Sequence, residues 1–168
     1  MQLQFFELDT SNETRCSFEV INLIESNEVK IKSIEEYKET CLSSFNKSIN
    51  NTMEKYFFNT FDFLVKAYIV PFDIKSNYSD SICDGFAYKS DDYCIVVSQD
   101  TDVVTVLCHE LCHIIAAEIF PEISNLSLEE SERLVEEIEE IMRKNVFTDS
   151  SITVYFYLQK KYFGERNE

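Results

Sequence analysis

Both histidines of this chain, His109 and His113, fall in a single segment, Val103-Val104-Thr105-Val106-Leu107-Cys108-His109-Glu110-Leu111-Cys112-His113-Ile114-Ile115-Ala116. No other stretch constrains the fold as strongly, because its ends and its interior agree. Asp100-Thr101-Asp102 offers N-cap chemistry ahead of it, and Pro121 stops it. A four-residue spacing is about one helical turn, so both imidazoles project from one face. On a wheel of about 100° per residue they lie within about 40° of each other, while Val104, Cys108, Leu111, Cys112 and Ile115 take the opposite and lateral side. Two imidazoles so placed can hold one metal ion, and Glu110, one position around the helix, stands beside any water on that ion.

Length and composition bound what surrounds this helix. A chain of 168 residues is in the size range of one domain, and we read residues 1–168 as one. Hydrophobic content of 45% excludes a disordered chain. No uninterrupted apolar run approaches the roughly eighteen residues of a membrane span, and Met1 to Asp9 lacks the basic-then-apolar pattern of a secretory signal. A net charge of -16 argues against nucleic-acid and anionic-membrane partners and permits a basic one. Much of that charge lies in Glu129 to Glu140, which we read as the solvated face of a helix. Cys16, Cys41, Cys83, Cys94, Cys108 and Cys112 form no CxxC pair and read as reduced thiols in a cytoplasmic protein.

Along the chain, residues 2–8 and 15–24 read as a hairpin about the polar turn Asp9 to Glu13. Ser33-Ile34-Glu35-Glu36 opens a long helical stripe through Tyr37, Cys41, Phe45, Ile49, Met53 and Phe57. Residues 63–70 are apolar nearly all round and fit buried helix or strand. Gly85 to Tyr88 and Tyr93 to Ser98 form a second hairpin feeding the histidine helix. Ser127-Leu128-Glu129-Glu130 starts a further helix with Leu128, Leu134, Val135, Ile138, Ile141 and Met142 on its apolar side. Ile152 to Leu158 is ambiguous between strand and helix.

The segment His109-Glu110-Leu111-Cys112-His113, followed by a glutamate-rich helix, resembles the gluzincins, zinc peptidases with HExxH on one helix and a glutamate on the next. The small size is closer to ImmA/IrrE-like and other short bacterial or phage HExxH proteins. The resemblance covers roughly Ile95 to Arg143. It departs from the aminopeptidase branch at Ser131, where that branch has Asn, and lacks the downstream alanine signature of the ImmA/IrrE-like proteins. It implies an α+β, zincin-like fold: a small, mostly antiparallel sheet packed on helices, with the HExxH helix followed by a glutamate-bearing one.

A catalytic zinc usually takes three protein ligands and one water, and the resemblance implies Zn²⁺ on His109, His113 and a glutamate of the following helix. Relative to Leu128, Glu132 and Glu139 lie about 40° and 20° away on the wheel, at the edge of the apolar face, whereas Glu130, Glu137 and Glu140 point outward. Glu132 ranks first, ahead of Glu136 and Glu139. Cys108 and Cys112 are also one turn apart, but on the packing face, where they read as core.

The implied reaction is hydrolysis of a peptide bond in an intracellular protein or peptide substrate, with Glu110 as general base. An oxyanion-stabilising tyrosine is expected, Tyr155 and Tyr157 being nearest in sequence, and the strand Tyr93–Ser98 is the expected edge for an extended substrate. The competing readings are a catalytically silent zincin-fold protein that binds or inhibits a partner, and an acidic mimic of nucleic acid.

Overall fold

The computed structural model describes residues 2–9, 13–26, 30–33, 62–144 and 151–164. Its strands are β1 (Gln2–Asp9), β2 (Arg15–Cys16), β3 (Lys30–Ser33), β4 (Leu64–Val70), β5 (Ile74–Lys75), β6 (Ile82–Cys83), β7 (Gly85–Lys89) and β8 (Tyr93–Ser98). Its helices are α1 (Ser17–Glu25), α2 (Val103–Ile119), α3 (Leu128–Lys144) and α4 (Ser151–Phe163), with a 3₁₀ turn at Pro121–Asn125. No described helix is long and apolar enough to cross a membrane.

β4 and β8 carry apolar runs, Ala67-Tyr68-Ile69-Val70 and Cys94-Ile95-Val96-Val97, because both their faces are covered there. They accordingly take the interior of a five-stranded sheet ordered β3-β1-β4-β8-β7. On one face Val65, Ala67, Ile95 and Val97 join Leu107, Leu111 and Ile115 of α2, Leu134 and Ile138 of α3, and Val154 and Leu158 of α4. On the other, Tyr68, Val70, Cys94 and Val96 pack with Val20 and Ile24 of α1. A second small sheet, β2-β5-β6, lies beside it.

The α+β class is as expected, but the sheet is mixed instead of mostly antiparallel. β1 and β4, and β4 and β8, pair in parallel, while β1 with β3 and β7 with β8 are antiparallel. Parallel neighbours need long crossovers, and here intervening segments run between β1 and β4 and between β4 and β8.

The expected hairpin of residues 2–8 with 15–24 does not form. β1 is a strand, but its antiparallel neighbour is β3, and residues 17–25 are helical. Ser17, Val20 and Ile24 are the buried set, a spacing of three and four that belongs to a helix. Its start is held from far along the chain: the Asn77 side-chain oxygen accepts from the Ser17 hydroxyl at 2.6 Å and from the Phe18 amide at 2.9 Å. Of residues 63–70, Leu64–Val70 form strand, and Ser151–Phe163 form helix. The long helix expected after Ser33 lies outside the described residues, and Ser33 itself closes β3.

The hairpin of β7 and β8 forms as expected, with Lys89 opposite Tyr93 and Gly85 opposite Val97. It aligns β7 beside α2 at very short range. A Cβ on Gly85 would sit 2.7 Å from both the Val106 Cγ1 atom and the Val96 carbonyl oxygen. Position 85 must therefore be glycine for β7 to lie this close to the helix. Gly85→Ala should cost about 1–3 kcal/mol, the usual penalty of overpacking, read as a lowered urea midpoint. An unchanged midpoint would show that β7 and α2 are not in this contact.

Candidate metal centre

α2 begins where the Asp102 carboxylate accepts from the Thr105 amide at 3.3 Å and hydroxyl at 2.8 Å. Ser127 and Glu130 cap α3 reciprocally: Glu130 accepts from the Ser127 amide at 3.0 Å, and the Ser127 hydroxyl accepts from the Glu130 amide at 3.3 Å. Leu111, Ile115, Leu134 and Ile138 lock the two helices together in the core. This packing turns one face of α3 onto the histidine face of α2.

The two histidine Nε2 atoms stand 3.2 Å apart. Glu132 Oε2 lies 3.6 Å from His109 Nε2, and Glu132 Oε1 lies 3.4 Å from His113 Nε2. Donors bound at about 2.1 Å in a tetrahedron are about 3.4 Å apart. Glu132 turns a different oxygen to each ring, and with one donor atom from each side chain the three lie within 4.8 Å of one another, which makes them, among the described residues, the group placed to hold a cation. Glu110, Glu132 and Glu139 bring three carboxylates to the same locality, with one nearby guanidinium on Arg143. That balance suits a divalent cation.

Glu110 is not part of that group. It is 8% exposed, tucked between α2 and the hairpin, and burial pushes its carboxyl up to about 7, opposed by the charge of His109 and by the Ala87 amide, which donates to it, and reinforced by Glu132. The histidines are driven in opposite directions. Burial is the largest influence on both and favours the neutral ring; for His113 it prevails and holds the ring below its ordinary value. For His109 it is outweighed by the Glu139 hydrogen bond and by the charges of Glu110, Glu139 and Glu132, so the ring is raised.

Of the glutamates expected near the site, Glu132 is there with 41% of its side chain exposed. Glu139, 16% exposed, meets the other nitrogen of His109, Nδ1, at 3.1 Å, and Arg143 at 2.6 Å. Glu136 is directed away, lining with Arg133, Glu137 and Lys161 a surface groove beside α4. Glu137, expected to point outward, is half-buried and accepts from Lys161 at 2.7 Å and from the Tyr162 hydroxyl at 2.6 Å. Leu128, expected on the apolar side, is exposed at the first residue of α3.

The two tyrosines expected as oxyanion partners are not brought to the histidines. Tyr155 stacks on Phe120, ring centroids 5.4 Å apart, at the margin of the core. The Tyr157 hydroxyl accepts from Lys161 at 3.3 Å, in the cluster about Glu137. Glu137 lies five residues from Glu132, about 140° around the helix, so that cluster faces elsewhere. Their helix packs against α3 through Val154 and Leu158, which dictates where the tyrosines point.

Cys112 is buried in the core near the Met142 sulfur, at 4.0 Å. Burial pushes the Cys108 thiol up to about 11 and the Cys112 thiol higher. Cys112 packs as a small hydrophobe in the core, whereas Cys108, expected there too, is only partly buried. Val104, placed with them on the packing side, is exposed.

Three contributors escaped the sequence reading. Gly85 is one of only two glycines in the chain and was legible as a point of close approach. Arg143 stands four residues after Glu139, a helical ion-pair spacing. The Ala87 amide carried no sequence signal. Comparison with protein-family models, with curated proteins and with solved structures finds no match to this chain.

Two outcomes follow. Isothermal titration of metal-free protein with a divalent cation should give one site per chain, abolished in the double variant His109→Ala, His113→Ala; because binding expels the proton of the raised His109, affinity should fall on acidification, starting above the ordinary histidine value of 6.5. Retained stoichiometric binding in that variant would remove the site. Glu110 stabilises the metal-free fold fully only while protonated; its contribution is present below 4.5 and is lost as pH rises to about 7. That loss is on the order of 3 kcal/mol, so metal-free Glu110→Gln should melt several degrees higher at pH 7.5 and show a flatter Tm between pH 4.5 and 7. Equal Tm values at every pH would mean that Glu110 is not buried as an acid.

Proposed function

We propose that the chain is a zinc-dependent peptidase of zincin-like fold that hydrolyses a peptide bond in an extended segment of a protein substrate. The observation that carries this reading is the convergence of His109 Nε2, His113 Nε2 and the Glu132 carboxylate, one donor atom from each lying within 4.8 Å of the others, with the buried Glu110 next to His109. Two imidazoles and one carboxylate are a zinc-type donor set that leaves the fourth position to water. The free thiols of Cys16, Cys83, Cys94, Cys108 and Cys112 fit a reducing, cytoplasmic setting.

When bound, Zn²⁺ supplies Lewis acidity toward a peptide carbonyl and makes a water acidic enough to attack at neutral pH. The chain does the rest. His109, His113 and Glu132 would hold the ion. Glu110 accepts the proton of the attacking water and passes it to the amine nitrogen that leaves, a task suited to a carboxyl lifted toward neutrality by burial.

The expected substrate edge, Tyr93–Ser98, is an interior strand, flanked by β4 and β7; among the described residues β7 is the edge on that side. The Ser98 amide donates to the Asp84 carbonyl at 2.9 Å and the Ser90 amide to the Asp92 carbonyl at 3.0 Å. Antiparallel pairs alternate, so Phe86 and Tyr88 are the residues that bond to β8, and the amides and carbonyls of Gly85, Ala87 and Lys89 are turned away from it. An extended peptide added there runs past Glu110, which the Ala87 amide touches.

Glu110→Gln should lower turnover of a cleaved peptide by about 10²–10⁴-fold while metal stoichiometry and fold are retained. Undiminished cleavage by this variant would end the peptidase reading.

A further inference from the structure

We infer that Glu139, braced by Arg143, is a positioning residue that selects which nitrogen of His109 faces the metal; this rests on the metal-binding reading of the site and is independent of whether the protein cleaves peptides. Glu132 and Glu139 are seven residues apart on α3, about 20° from alignment, so both reach the histidine helix two turns apart. They meet different atoms there. Glu132 faces the Nε2 atoms of both rings, at 3.6 and 3.4 Å, whereas Glu139 Oε2 meets His109 Nδ1 at 3.1 Å.

The two nitrogens of one imidazole point in divergent directions and cannot serve one ion together. Were Glu139 a ligand of the same ion, His109 would have to turn Nδ1 toward it and withdraw the Nε2 atom that lies 3.2 Å from its counterpart on His113. The alternative uses every atom: Nδ1–H donates to Glu139, and Nε2 keeps its lone pair for the metal. Glu139 has both oxygens engaged, Oε2 by His109 and Oε1 by Arg143 Nη2 at 2.6 Å. Arg143 holds the carboxylate from the solvent side, with half of its own side chain exposed, and offsets a charge that would otherwise be costly to keep at 16% exposure.

The brace also works without a change of backbone. Glu139 and Arg143 are one turn apart on α3, whose Ile138 and Ile141 are in the core, so carboxylate and guanidinium sit on a rigid support. The same helix thereby supplies the third ligand and sets the ring orientation of the first.

The test is metal affinity and ligand identity in the full chain. With Co²⁺ as probe, Glu139→Gln should bind about 10–100-fold more weakly with the visible spectrum, and hence the ligand set, unchanged; Arg143→Met, altering an exposed side chain, should weaken binding less, and the double variant no more than Glu139→Gln alone. Nitrogen-15 NMR of the metal-free wild type, at a pH where the His109 ring is neutral, should show its proton on Nδ1, and that preference should fall in Glu139→Gln. Unchanged Co²⁺ affinity in Glu139→Gln, a changed coordination spectrum marking loss of a carboxylate ligand, or a neutral His109 ring protonated on Nε2 in the wild type would each overturn the inference. If Co²⁺ binds as described and no peptide is cut, the peptidase reading fails and the brace stands; if no metal binds at all, the NMR result alone decides the brace.

Discussion

The site depends on one close contact, the passage of α2 over β7 at Gly85. The missing side chain lets the helix come within reach of the edge strand, where Val106 and the Val96 carbonyl leave no room for even a methyl group. That approach buries Glu110 against the hairpin and puts the Ala87 amide on its carboxylate. Were α2 farther away, Glu110 would be hydrated and would behave as an ordinary surface acid. The lifted carboxyl is therefore a product of strand-to-helix distance, and the distance is a product of one glycine.

A second dependence runs between the helices. α2 is mostly apolar and is buried along most of its length, so its polar residues are tolerated only where something answers them. α3 provides that answer with an otherwise strongly polar sequence. Its inward stripe of Leu134, Val135, Ile138 and Ile141 packs into the core, and the two glutamates at the rim of the stripe, Glu132 and Glu139, meet the imidazoles. Three carboxylates converging on two histidines repel one another in the absence of a cation, and Arg143 relieves only part of that. Preorganised repulsion of this kind favours uptake of a divalent ion, because binding removes it.

Helical periodicity was the legible part. The capped start at Asp102, the alignment of His109 with His113, the start of α3 at Ser127 and the closeness of Glu132 to the packing stripe all follow from about 3.6 residues per turn. The hairpin of β7 and β8 was readable from its turn residues. Strand order was not, since an apolar run announces burial and says nothing about neighbours: Cys94 to Val97 belongs to an interior strand, and the edge falls to the less conspicuous Gly85 to Lys89. Residues 17–25 misled for a related reason, as their helix start is capped by Asn77, sixty positions from Ser17. Tyr155 and Tyr157 were near the site along the chain only; α4 turns them toward Phe120 and toward Glu137 and Lys161.

By itself, the sequence determined the local chemistry: which helix carries the imidazoles, that Glu110 follows His109, and which residues of α3 could reach them. These are matters of spacing within one element, which backbone geometry settles without reference to the rest of the chain. The tertiary structure alone decided which carboxylate opposes Nε2 and which opposes Nδ1, how deeply Glu110 is buried, and which strand forms the sheet edge beside it. Each of these depends on the distance between elements far apart in sequence, and that distance is set by the packing of whole surfaces, down to one absent methyl group at Gly85.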